Sequence, residues 1–177
     1  MHIRTAEHQD SPRIKKLYTR VAAQEGGIAR TEDEITDEYV SGFLHHAIGS
    51  GLILVAEHPD NPDELIGEMH AYRPGPAVFN HIYSHLTIVV DPDFQGRKIG
   101  RTLFTIFLEE VGLNRRDIGR VELIVRESNE GAIRFYQSFG FAIEGRLEMR
   151  IKTRDDNYEA DIPMAWLNPN FEFDATD

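Results

Sequence analysis

The feature that most constrains the fold of this chain is a short apolar and β-branched run, Leu86-Thr87-Ile88-Val89-Val90, which leads directly into a basic turn that contains glycine. A run that is apolar on both faces is typical of a strand in the centre of a sheet. Asp91-Pro92 ends this strand, and the next segment, residues 98–112, has the apolar spacing of an amphipathic helix. The order of strand, basic turn and helix predicts a phosphate site, because a helix start offers unpaired N–H groups and the positive end of the helix dipole.

Charge supports this interpretation of the turn. Arg97, Lys98 and Arg101 lie together in a chain whose formal net charge is -11. A local positive cluster in an acidic protein indicates a specific anion partner more than average surface. The acidic balance argues against a general nucleic-acid binder and mildly favours cationic or amine-bearing partners.

Composition limits what the turn belongs to. The chain has 177 residues, 41% of them hydrophobic and none of them cysteine, which predicts one globular domain over residues 1–170 and a surface tail over residues 171–177. The absence of cysteine removes thiolate nucleophiles and disulfides. No apolar run approaches the roughly 20 residues that span a bilayer, and the start lacks the apolar core of a signal peptide. We therefore expect a cytoplasmic protein with no membrane partner.

Hydrophobic periodicity predicts strands that alternate with helices, and therefore a mixed α/β fold. Glycine, proline and asparagine clusters close two hairpins. The predicted strands cover residues 3–6, 52–57, 65–72, 86–90, 121–126, 142–152 and 158–166, and the predicted helices cover residues 12–21, 32–48, 98–112 and 129–139.

Two motifs in the correct order resemble the GNAT superfamily of N-acetyltransferases. The first is Gln95-Gly96-Arg97-Lys98-Ile99-Gly100, and the second is Asn129-Glu130-Gly131-Ala132-Ile133-Arg134-Phe135-Tyr136. One position departs from the family pattern, since Lys98 stands where the first glycine of the turn is usual. The resemblance implies a central twisted mixed β-sheet flanked by helices, with acetyl-CoA as co-substrate.

The same resemblance implies a set of cofactor contacts. The backbone of the central strand meets the thioester carbonyl, the turn holds the pyrophosphate, and an asparagine either contacts pantetheine or only caps its helix. The residues in these positions are Ile88, Val89, Val90, Gln95, Gly96, Arg97, Lys98, Ile99, Gly100, Arg101 and Asn129.

Acetyl transfer to an amine also needs an acid for the leaving thiolate and a base for the ammonium. Tyr136 is the candidate acid, with a core aromatic as the alternative. Glu68 and His85 are the candidate bases, and a structural role is the alternative for each. His81 and His85 lie four residues apart, but the β-rich context lacks a third ligand, so we predict no metal site.

The acceptor is less constrained than the donor. We expect direct attack by a small amine in a ternary complex, and the acidic residues between Glu32 and Glu38 make a cationic amine attractive, although a solvated helix face explains them equally well. An amino acid, a peptide or protein amine, and a CoA-binding module without catalysis remain alternatives. The family also suggests a homodimer.

Overall fold

The computed structural model of the chain describes residues 1–24, 27–153 and 155–172. The described residues form eight strands and four α-helices, joined by turns and short 3₁₀ segments. In chain order these are β1 (Ile3–Thr5), α1 (Ser11–Ala22), α2 (Asp37–Ser50), β2 (Gly51–Glu57), β3 (Leu65–Tyr72), β4 (Ile82–Val90), α3 (Ile99–Asn114), β5 (Arg120–Arg126), α4 (Glu130–Gln137), β6 (Ala142–Ile143), β7 (Leu147–Lys152) and β8 (Tyr158–Leu167).

The strands form one mixed sheet in the order β1-β2-β3-β4-β5-β8-β6, with β7 also paired to β8. Helices cover both faces, so a strand near the centre is apolar on both sides. In β2, Ile53 and Val55 pack under α1 and α2, whereas Leu52, Leu54 and Ala56 belong to the core beneath α3 and α4. The predicted mixed α/β class is therefore confirmed.

Two predicted elements differ from the structure. The helix expected over residues 32–48 begins at Asp37, because the Thr36 side chain caps it by accepting a hydrogen bond from the Tyr39 N–H at 3.1 Å. Residues 32–34 instead form a separate 3₁₀ turn. The single strand expected over residues 142–152 is two strands, β6 and β7, which pair with different parts of β8.

The pairing between β4 and β5 is the feature that shapes the sheet. These two strands are parallel and pair only at Ile82 with Arg120 and Tyr83 with Val121. Beyond Tyr83, β4 stays paired to β3 as far as Val90, and β5 stays paired to β8 as far as Arg126. The sheet therefore opens between its two central strands.

A β-bulge in β4 marks the start of this opening. His70 pairs with Thr87 and Tyr72 with Ser84, so His85 and Leu86 together stand opposite one residue of β3. His85 takes a left-handed conformation with φ of 56°, and such a bulge bends and twists its strand. The extra residue turns β4 away from β5.

None of the helices in the described part of the chain combines the length and apolar character that crossing a membrane requires. Of the predicted tail, residues 173–177 lie outside the described residues. Its first two residues do contact the domain, since the Phe171 N–H donates to the Asn168 carbonyl and the Glu172 N–H to the Arg116 carbonyl.

The junction of α2 and β2 gives a stability test. A Cβ on Gly51 would lie 2.1 Å from the Ala71 carbonyl oxygen and 2.7 Å from the Tyr72 Cα, so Gly51→Ala should lower the free energy of unfolding by at least about 1–3 kcal/mol. Gly42→Ala is the matched control, because a Cβ in that part of α2 meets nothing within 4 Å, and it should stabilise the helix by up to about 1 kcal/mol. Urea unfolding measures both, and equal effects would contradict the close approach.

Candidate functional site

The open side of β4 presents backbone groups that no strand uses. The Asp91 N–H donates to the Ile66 carbonyl of β3, and in an antiparallel pair only alternate residues face the partner. Val89 therefore faces β3, whereas the N–H and C=O groups of Ile88 and Val90 point toward β5, which has separated by this point. Of the three strand residues predicted to meet a thioester, Ile88 and Val90 are the two whose backbone N–H and C=O groups have no partner strand.

The turn after β4 leads into α3 through two residues with positive φ. Gly96 has φ of 73° and Lys98, the N-cap of α3, has φ of 64°. The first backbone hydrogen bond of the helix runs from the Thr102 N–H to the Lys98 carbonyl. Among the hydrogen bonds of the described residues, the N–H groups of residues 96–101 have no acceptor, as expected for a helix start.

Buried and stacked side chains hold this turn in place. The Asp91 carboxylate is 5% exposed; it accepts from the Asp93 N–H at 3.0 Å and from the Arg20 Nε of α1 at 2.7 Å. The Arg97 guanidinium lies over the Phe94 ring at 4.7 Å. The turn is therefore fixed before any ligand arrives.

Arg101 connects the turn to α4. Its guanidinium lies 5.0 Å from the Phe139 ring centroid, and its Nη2 donates to the Ser138 hydroxyl at 3.2 Å. A Cβ on Gly96 would meet nothing within 4 Å, so the turn is open on its outer side. Unpaired N–H groups, cations and open space together fit a bound phosphate group.

Lys98 stands where the sequence pattern expects glycine, and the structure supplies the reason for that preference. The residue adopts a left-handed conformation, which costs an L-residue with a Cβ roughly 1–2 kcal/mol. The lysine is exposed, and its backbone holds a conformation that suits glycine better.

Tyr136 and Asn129 lie at the two ends of α4. The Asn129 Oδ1 caps the helix by accepting from the Ala132 N–H at 3.0 Å, which is the capping role expected for asparagine. The Tyr136 ring packs on Phe104, with 5.5 Å between centroids, and burial raises the pKa of its phenol to about 12. In the described part of the chain the hydroxyl has no hydrogen-bond partner, while every buried side-chain polar atom there has one, so the hydroxyl reaches open space.

A cavity of about 600 Å³ opens where β4 and β5 separate. It lies on the α1 and α2 face of the sheet, and its lining includes the bulge residues on one side of the opening and residues 122–124 of β5 on the other. Tyr39, Phe43 and Tyr72 supply an aromatic wall. The cavity therefore adjoins the free backbone edge of β4.

Of the predicted bases, His85 lines this cavity and Glu68 does not. Burial lowers the pKa of His85, His70 and His46 lower it further, and Glu122 opposes them. Glu68 has no exposed surface; its Oε2 accepts from the Tyr18 hydroxyl at 2.5 Å, and its Oε1 lies 2.9 Å from the His70 Nδ1. His70 lines the cavity, so it stands between Glu68 and the open space.

His70 and the basic side chains of the cavity were not predicted from the sequence. Arg30, Arg120 and Arg150 line it, and Glu122 is the one carboxylate among the described residues of its lining. The signal for His70 was available, because Glu68 and His70 are alternate residues of one strand and therefore share a face. The arginines come from distant segments, and only the fold brings them together.

The acidic residues between Glu32 and Glu38 do not line this cavity. The Asp37 carboxylate instead pairs with the Lys15 Nζ at 2.9 Å, and Glu34 accepts from the Thr31 N–H at 2.8 Å. Among the described residues, no group of three or more histidine, aspartate or glutamate side chains is placed to hold a metal ion.

The amino-acid sequence matches that of a known protein family. The acetyltransferase (GNAT) family matches residues 14–141. The L-amino acid N-acyltransferase MnaT of Escherichia coli is 22% identical over 151 residues, which cover 83% of each chain. The [ribosomal protein bS18]-alanine N-acetyltransferase of Escherichia coli is 43% identical over 54 residues, which cover 30% of this chain and 35% of that protein.

Solved structures share the fold. An acetyltransferase of the GNAT family from Streptococcus pneumoniae superimposes with a TM-score of 0.81 at 23% identity, covering 94% of this chain and 98% of that one. A putative acetyltransferase from Salmonella typhimurium, solved with its cofactor acetyl-CoA, has a TM-score of 0.81 at 18% identity, covering 100% of this chain and 98% of that one.

The backbone at Lys98 gives a second test. Lys98→Gly and Lys98→Ala both remove the ammonium, but only glycine relieves the left-handed conformation. The glycine variant should therefore unfold in urea with a free energy about 1 kcal/mol higher than the alanine variant. Equal stabilities of the two variants would contradict strain at this position.

Proposed function

Because the chain belongs to the acetyltransferase (GNAT) family, we propose that it transfers the acetyl group of acetyl-CoA to a primary amine of a small molecule, by direct attack in a ternary complex. It is an N-acetyltransferase at the family level, and acetyl-CoA is the co-substrate of that family. The observation that carries the proposal is the cavity at the opening between β4 and β5, which adjoins the unpaired backbone of β4.

In this proposal, unpaired backbone groups bind the acetyl donor, acetyl-CoA. The free N–H groups of Ile88 and Val90 supply hydrogen bonds to the acyl-pantetheine arm where strand pairing is lost. The N–H groups and cations of residues 96–101 hold the pyrophosphate at the start of α3. A Cβ on Gly100 would lie 3.5 Å from the Val90 Cγ2, so the helix start and the open strand edge are neighbours.

Tyr136 supplies the proton to the leaving thiolate in this proposal. Burial raises the pKa of its phenol to about 12, so the acid form persists throughout the neutral and mildly alkaline range. Its hydroxyl reaches open space rather than a protein partner, which leaves it free for a substrate.

The charges of the cavity favour an acceptor that carries an anionic group as well as its amine. Arg120 is paired with Glu122 at 2.8 Å and with Glu144. Arg30 has no carboxylate partner within the described residues and lies 4.0 Å from the Tyr39 ring centroid. Arg150 lies 3.2 Å from Asp161 and is half exposed.

These charges support an amino-acid-like acceptor over the polyamine-like one that the acidic composition suggests. An L-amino acid is also the acceptor class in the name of the relative MnaT, an L-amino acid N-acyltransferase. A peptide or protein amine is a second candidate, supported by the name of the bS18 relative. A homodimer and a cytoplasmic location, both expected from the sequence, remain predictions.

A screen of acceptors tests the proposed function directly. Purified protein is mixed with acetyl-CoA and a panel of amino acids, polyamines and peptides, and free thiol is followed. We expect thiol release that depends on one class of acceptor. Binding of acetyl-CoA without release above background for any amine would instead indicate a CoA-binding module.

Tyr136→Phe should lower kcat by about 100-fold, the lower end of the usual contribution of a general acid. The Kd for acetyl-CoA should change less than about twofold, since only the hydroxyl is lost. Tyr158→Phe is the matched control, because that phenol is 57% exposed on β8 and lies outside the cavity lining. An unchanged kcat would remove Tyr136 from the role of acid.

The charge of the acceptor gives a further prediction. An L-amino acid should have a KM about 10-fold lower than the amine left when its carboxylate is removed, because a charge-assisted hydrogen bond contributes about 1.5–3 kcal/mol. Arg30→Gln should reduce this difference, because Arg30 has no carboxylate partner within the described residues. Arg146→Gln, which loses an exposed pair with Glu127, should not. Equal KM values for both acceptors would contradict an anion-binding cavity.

A further inference from the structure

Glu68 and His70 form a buried titratable pair that the proposed reaction has not used. Glu68 is 0% exposed and His70 is 3% exposed, and a carboxylate in such a place requires partners that stabilise it. We propose that His70 takes the proton from the acceptor ammonium and that Glu68 is the positioning residue that prepares it to do so. This inference rests on the proposed function and deepens it.

Hydrogen bonding selects the useful tautomer of His70. Glu68 as a carboxylate only accepts, so the His70 Nδ1 at 2.9 Å carries the hydrogen. In the neutral ring, Nε2 then bears the free lone pair. Nε2 has no hydrogen-bond partner among the described residues, and no buried side-chain nitrogen there lacks one, so Nε2 is the atom that faces the cavity.

Packing fixes the orientation of the ring. His70 stacks on Phe43 of α2, with 4.3 Å between centroids and 11° between planes, and on Tyr72 at 6.0 Å and 14°. The Tyr18 hydroxyl holds the other oxygen of Glu68 at 2.5 Å. The ring therefore keeps one position relative to the cavity, as a proton acceptor requires.

The register between β3 and β4 places His70 beside the unpaired edge of β4. It pairs with Thr87 of β4, the residue that precedes Ile88, whose backbone is free toward β5. Paired residues of antiparallel strands lie about 5 Å apart, so an amine bound next to His70 is close to the predicted position of the thioester carbonyl.

The proton balance of the step is complete. The ammonium gives one proton to Nε2, and the nitrogen lone pair forms the C–N bond to the carbonyl carbon. The C–S bond then breaks, its electron pair leaves with the CoA sulfur, and the sulfur takes a proton from Tyr136. The attacking nitrogen, which still carries one proton more than the amide product, gives that proton to the Tyr136 phenolate and so restores the phenol. His70 then releases its proton to solvent. The products are the N-acetyl amine, the CoA thiol and one proton.

Several other titratable groups lie around the pair of Glu68 and His70, and they define what a pH experiment reports. Glu68 and Tyr72 belong to its own strand, Tyr18 to α1, Tyr39 and His46 to α2 and His85 to β4. Burial raises the pKa of Tyr18, Tyr39 and Tyr72 above 10.0, the usual value of a tyrosine. Burial lowers the pKa of His85, which makes His85 the competing base.

The test compares variants at two pH values with the acceptor that the screen identifies. An alkylammonium has a reference pKa near 10, so at about pH 10 much of the amine is neutral and needs no base. His70→Gln should lower kcat/KM by at least about 100-fold at pH 7 and by less than about fivefold at pH 10. Glu68→Gln should show the same pH dependence with a loss of at least about 10-fold, because an amide can donate to Nδ1 and select the tautomer whose Nε2 carries the hydrogen.

Controls separate chemistry from folding. His45→Gln changes an exposed histidine of α2 outside the cavity and should match the wild type at both pH values. A loss with His70→Gln that is equal at pH 7 and pH 10 would mean a structural role and overturn the inference alone. A pH-dependent loss in His85→Gln but not in His70→Gln would assign the proton to His85. No thiol release by the wild type would overturn the proposed function itself.

Discussion

The candidate site depends on one break in strand pairing inside the sheet. Beyond Tyr83, β4 stays hydrogen-bonded to β3 but is no longer paired with β5. Backbone N–H and C=O groups in the interior of a protein need partners, and leaving them without any is costly. The bulge at His85 creates the separation and leaves Ile88 and Val90 directed into it. A ligand that carries its own amides can fill this gap as a strand would, which is how an irregular sheet becomes a binding site.

The same opening divides the chemistry between the two faces of the sheet. On the α3 and α4 face lie the basic turn and Tyr136, which suit the donor and its leaving group. On the α1 and α2 face lie the aromatic wall, His70 and the arginines, which suit an amine with an anionic group. In the proposed reaction, donor and acceptor would therefore approach the gap from opposite sides of the sheet.

The sequence was sufficient for features that depend on neighbours along the chain. The run from Leu86 to Val90, the turn and the helix after it were predicted because strand, cap and amphipathic patterns are local. The bulge at His85 was not predicted, since it is defined by register against β3. His70 was missed for a similar reason: its role depends on Glu68 being covered by Tyr18, fifty residues away, and a polar residue in an apolar strand normally suggests solvent.

The net charge of the chain is a poor guide to the charge of the acceptor. A net charge of -11 suggested a cationic acceptor, yet the acidic residues between Glu32 and Glu38 do not line the cavity, whereas Arg30, Arg120 and Arg150 do. Electrostatic attraction at contact distance depends on the nearest charges, because exposed charges more than about 10 Å away are screened by salt. For the proposed acceptor, the charges that line the cavity therefore matter more than the net charge of the whole protein. Arg30, which has no carboxylate partner within the described residues, is the guanidinium best placed to bind an anionic group.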